Sequence, residues 1–144
     1  MEVNIQNDGA APQNEVQSEI VGNDVVFADV NVPAEVSQAI AEKIKDLKVK
    51  FGVKKVFVIV VEGDVEGGEK PLYIGYFRRP NMIQFSMYMN FVQKDLVQAN
   101  KQLAMNVFLD GDRELIDDED LFLYGTMQQL SHVIDSRNAG LVKK

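Results

Sequence analysis

The chain has 144 residues, with 15 Lys and Arg against 22 Asp and Glu, a net charge of −7, one His, and neither Cys nor Trp. That length is enough for one domain with a core of its own, and the missing thiols exclude a disulfide scaffold and a cysteine-ligated metal or cluster. The acidic balance is a poor footing for a nucleic-acid binder, and the longest apolar run, Val56–Val61, falls far short of the roughly 20 residues of a membrane span.

Residues 1–23 are rich in Asn, Gln, Glu, Gly and Ala and have no aromatic side chain, and residues 1–30 contain six acids and no base. Ordering a backbone costs about 1–2 kcal/mol per residue, and this segment has little apolar surface to offset it. Residues 1–23 are therefore expected to form an acidic arm, disordered or ordered by a partner. Met1-Glu2-Val3-Asn4 lacks the basic start and apolar stretch of a signal peptide, so none is expected. Val25-Val26-Phe27 is a candidate third strand of the domain that follows, placed at residues 24–137.

Pro33 suits the first position of a helix, and Val36, Ile40, Ile44, Leu47 and Phe51 recur at helical spacing up to Gly52, a natural left-handed stop. The six Lys of residues 31–61 read as the solvated face of this helix and its surroundings rather than as a phosphate track. Val56–Val61 is β-branched and suits a strand buried on both faces. After a Gly-rich acidic turn at residues 62–70, Pro71–Arg78 returns as a second strand. Leu72, Ile74 and Tyr76 lie on one of its faces, Tyr73 and Phe77 on the other. The short connection predicts an antiparallel hairpin. Two strands alone are marginal, so helices or a further strand must cover them.

Pro80 stops the strand, and Asn81 with Gln84 resembles a capping box. No Gly or Pro occurs from Asn81 to Asp110, and Phe85, Tyr88, Val92, Leu96, Ala99, Leu103 and Val107 form one stripe, which predicts a single long helix. Ile83, Met87 and Phe91 lie opposite that stripe. Either the start of this helix is sandwiched inside the domain, or it exposes a Met/Phe patch that docks another chain. A last helix is expected from about Asp117–Asp120, with Leu123, Met127, Leu130 and Ile134 as its stripe and Gly125 marking a close contact or a break. It should end at Asn138-Ala139-Gly140, leaving residues 138–144 as a basic tail.

Motifs for chemistry fail. Lys70 stands between Glu69 and Pro71, so the glycine-rich turn is no phosphate loop. A calcium loop starting at Asp110 would need Gly and Glu where Leu115 and Leu121 stand. His132 reads as a surface residue, Ser86, Ser131 and Ser136 have no nucleophile-elbow context, and no catalytic, metal or cofactor-binding residues are expected. Arg78 and Arg79 either grip a carboxylate of a partner or form an ordinary strand-end pair.

Tyr73-Ile74-Gly75-Tyr76-Phe77-Arg78-Arg79-Pro80, the uninterrupted helical stretch, Val107-Phe108-Leu109-Asp110-Gly111-Asp112 and the acidic Glu114-Leu115-Ile116-Asp117-Asp118-Glu119-Asp120 together resemble small morphogenesis proteins of tailed bacteriophages, some of them similar to tail assembly chaperones. The likeness spans about residues 54–135 and leaves the arm outside it. It implies a non-enzymatic protein that binds other phage structural or assembly proteins, in the host cytoplasm during assembly or in the virion, with no catalytic residues. The sequence thus predicts an α+β domain, a β-hairpin or three-stranded sheet packed against three helices. Ile83, Met87, Phe91, Arg78 and Arg79 are its candidate partner-binding residues. The partners would be phage proteins or further copies of the chain, and neither membrane nor direct nucleic-acid contact is expected. Two other readings are a cation- or small-ligand-responsive module using Asp110–Asp120, and an acidic mimic of nucleic acid that inhibits a host protein.

Overall fold

A computed structural model describes residues 17–21, 24–28 and 32–142, with side chains over residues 32–134. The fold is mixed α+β. Its antiparallel centre is three strands, β3 (Phe57–Glu62), β4 (Leu72–Phe77) and β5 (Phe108–Gly111). Two more strands extend it, β1 (Gln17–Val21) and β2 (Asp24–Ala28), in the order β1-β2-β3-β4-β5. The candidate strand Val25–Phe27 is β2, parallel to β3, with Val26 beside Val58. Parallel neighbours need a crossover, and α1 (Ala34–Phe51) supplies it. Most of the expected arm, residues 1–16, 22 and 23, lies outside the described residues. Gln17–Val21, inside that stretch, is hydrogen-bonded along β2.

The first helix and the hairpin form as the sequence predicts. Pro33 precedes α1, and Gly52 closes it at φ 65°, a left-handed turn that glycine adopts without strain. Ile40, Ile44 and Leu47 are buried, whereas Phe51, at the end of the stripe, remains exposed. Alternation along β3 splits the core in two. Val56, Val58 and Val60, with Tyr76 of β4, pack on α1. Phe57, Ile59 and Val61, with Tyr73 and Phe77, face a second helical layer. The sheet is therefore covered on both faces, as its β-branched central strand requires.

The single long helix expected over residues 81–110 is not formed. The chain makes α2 (Met82–Val92), turns at Gln93–Asp95, makes α3 (Leu96–Val107), and passes directly into β5. Asp95 is the reason a break occurs without Gly or Pro. It is extended (φ −154°, ψ 96°), and its side chain accepts from the Gln98 amide at 3.1 Å, capping α3. Phe91 O accepts from the amides of Lys94 and Asp95, closing the end of α2. On α3, Ala99, Leu103, Ala104 and Val107 are buried. Strand β5 is held by the Phe108 ring, edge-on to Phe77 at 5.5 Å, and by Gly111, whose φ of 114° lets the backbone press on Ile74 O.

The second layer is completed by the short helices α4 (Glu114–Asp117) and α5 (Glu119–Leu121), a π-helical turn at Phe122–Thr126, and α6 (Met127–Val142). Gly125 sits in the π turn, and a Cβ there would stand 2.8 Å from both Val61 methyls, so a close approach explains it. The Thr126 hydroxyl donates to Leu115 O at 2.6 Å and the Gln129 side-chain Nε2 to Val60 O at 3.0 Å, tying this turn and the start of α6 to α4 and the sheet. The expected stop at Asn138–Gly140 is not observed. The helix continues to Val142, because one Gly costs only about 1 kcal/mol within a helix.

Candidate functional site

Helix α2 has the sequence Met-Ile-Gln-Phe-Ser-Met-Tyr-Met-Asn-Phe-Val, and no residue of it is buried. Its start is fixed locally. The Asn81 side chain accepts from the Gln84 amide at 2.8 Å, and the Gln84 side chain accepts from the Asn81 amide at 3.0 Å, the capping box expected from the sequence. Eleven residues without a charge cannot be held by ion pairs, and a helix this short is marginal on its own. It is held instead against α3, to which the tight turn at residues 93–95 returns it, with Tyr88 partly buried against the main core.

Much of its apolar surface is left uncovered. Met82 is 83% exposed, Ile83 71% and Met87 57%, and Met89, Phe85 and Phe91 are also exposed. The reading that placed the start of this helix inside the domain is therefore overturned. A monomer's surface rarely concentrates large apolar side chains in this way without a use. The stripe predicted from Phe85 to Val107 divides at the turn. Ala99, Leu103 and Val107 are core, while Phe85 and Leu96 are exposed.

Between α2 and α3 runs a groove of about 440 Å³. Met87, Tyr88 and Phe91 form one wall and Leu103 lies on the other, with Gln84 and Lys94 also among the lining residues. Of the candidate residues, Met87 and Phe91 line this groove, and Ile83 stands exposed outside it.

Arg78 and Arg79 line a different cavity, of about 360 Å³, with Lys54 and Lys55 and the end of α1 at Phe51–Val53. None of its described lining residues is acidic. The Arg78 amide donates to Val107 O at 2.9 Å, and the Arg79 guanidinium lies 5.8 Å from the centre of the Phe57 ring. Sequence reasoning missed Lys54 and Lys55, although the hairpin signal contained them. The β3–β4 register pairs Phe57 with Phe77, and continued by two residues it sets Lys55 opposite Arg79.

The acidic tract at residues 110–120 is largely engaged with the chain itself. Asp110 accepts from Lys43 at 2.7 Å, and that contact, with the Gly111 amide, holds its carboxyl below the usual carboxylate range. Asp112 pairs with Lys70 and also accepts from the Ile74 amide at 2.8 Å. Asp118 caps α5 through the Leu121 amide at 3.0 Å. Asp110 and Asp112 thereby clamp the end of β5 to α1 and to the β3–β4 hairpin. His132 is exposed on α6. Among the described residues, no helix is long and apolar enough to cross a membrane. In comparisons with known proteins, the chain matches no family model, no curated protein and no solved structure.

Proposed function

We propose that this chain is a non-enzymatic protein–protein interaction module that works in the assembly of tailed-phage particles, docking another protein on α2. The observation that carries docking is that an eleven-residue apolar helix is formed, capped and packed, yet contributes no buried residue. Free in water, such a face is costly to maintain, and covering it is the main gain available from association. The resemblance of residues 54–135 to small phage morphogenesis proteins supports particle assembly as the setting. The exposed methionines suit a surface that adapts to its partner, since a Met side chain is flexible and polarizable.

The test is co-purification. A tagged chain produced alongside the particle proteins of a tailed phage should retain one or more of them. Met87→Asp, shown by circular dichroism to be folded, should retain none. A folded Met87→Asp chain that still co-purifies with the same proteins refutes the assignment of this face.

A further inference from the structure

The stretch of chain that carries the apolar face is opposite in charge to the molecule as a whole. In a chain of net charge −7, the stretch from Arg78 to Leu109 has four cations (Arg78, Arg79, Lys94 and Lys101) and a single acid, Asp95. That acid is committed to capping α3. Lys54 and Lys55 add two more cations at the cavity shared with Arg78 and Arg79, and Lys94 lies on the α2–α3 groove. Only Pro80 and Asn81 separate Arg79 from the first residue of α2. The chain path from Arg79 to Met87 is thus on the order of 15 Å.

From this charge pattern we infer that the occupant of the α2 face is an acidic amphipathic segment of a partner protein, and the inference rests on the docking function proposed above. Its apolar side chains seat on Met87 and Phe91 in the groove, and its carboxylates meet Lys94 at one end and Lys54, Lys55 and Arg78 at the other. The path from Arg79 through Met87 to Lys94 is on the order of 25 Å, which a helix of about 17 residues covers. Apolar contacts supply most of the affinity, and the cations supply orientation and selection against basic sequences. A nucleic acid fits less well, because Lys94 is the one cation among the groove's lining residues and no basic track continues along it.

A displayed library of random peptides about 17 residues long, panned against the full chain, tests this. The most enriched peptide is then synthesised with a fluorophore and titrated against the chain and its variants. The expected peptides have apolar residues at helical spacing, with Asp and Glu dominating the remainder. Binding should weaken at least tenfold in Met87→Asp, about tenfold for an anchor at the centre of an interface being ordinary. It should weaken about fivefold in Lys54→Glu and in Arg78→Glu at low salt, with the charge effect shrinking at high salt. Peptides that need Met87 but are neutral or basic, or that ignore both charge reversals, overturn this inference and leave docking on α2 intact. If no enriched peptide depends on Met87, the docking function falls as well. Met87-dependent self-association of the chain in sedimentation would make a second copy the occupant. Binding of a thymidine oligonucleotide that is lost in Arg78→Glu would make it a nucleic acid. Either result overturns the acidic-peptide assignment.

Discussion

Replacing Met87 with Asp separates an exposed docking face from a buried core by stability alone. Met87 is 57% exposed, so a little under half of its surface is hidden, mostly against α3. Fully burying a methionine is worth about 1.5–3 kcal/mol, so the hidden part accounts for roughly 1 kcal/mol. The poorer helix propensity of Asp adds up to about 0.5 kcal/mol. The expected loss is therefore about 1–1.5 kcal/mol, within what a domain of this size survives. Leu103, across the same groove, is 2% exposed. Leu103→Asp removes a buried side chain and leaves a carboxylate in the core, and it should cost more than about 4 kcal/mol. Equilibrium urea unfolding followed by circular dichroism measures both, provided the slope of free energy against urea is the same for each variant. A Met87→Asp loss above about 3 kcal/mol, or unfolding like that of Leu103→Asp, would refute the reasoning, because the face would then be part of the core.

Gly125→Ala should destabilise the chain by about 1–2 kcal/mol, although Ala normally favours a helix, because its Cβ would stand 2.8 Å from the Val61 methyls. Val61→Ala in the same chain should recover part of that loss, and thermal melts of the two single variants and the double variant check the coupling. Tyr76 gives an alkaline signature. Burial, with Asp110 and Asp112 nearby, pushes its hydroxyl up to about 12 from an ordinary 10.0. The folded chain therefore holds this proton where the unfolded chain releases it. Stability present below about pH 10 should fall as the pH rises toward about 12, by roughly 2 kcal/mol in all, and Tyr76→Phe should flatten that slope in urea titrations at each pH. Asp95→Ala should cost about 1 kcal/mol by removing the α3 cap, measured in the same urea assay.

Some of this molecule is determined locally and was legible in its residues. Pro33, the Val36–Leu47 spacing and Gly52 specify α1 within a few residues of chain. The β-branched run and the short acidic turn specify the β3–β4 hairpin, and with it the faces of Tyr73, Tyr76 and Phe77. The Asn81–Gln84 cap and the apolar content of α2 were equally plain. In each case the deciding interactions join residues close in sequence, so pattern and cause coincide.

Other features depended on contacts that no local pattern contains. Strand β5 is only Phe108–Gly111, and it exists because β4 offers it a ladder from more than thirty residues away. The stripe from Phe85 to Val107 has helical spacing throughout, yet the cap made by Asp95 and the packing of α3 on the sheet divide it. Periodicity reports that a face is apolar, and not whether another element reaches it. Only the tertiary arrangement buried Leu103 and left Ile83 and Met87 uncovered. Burial is a property of the space around a side chain, and that space is filled by residues distant in the chain.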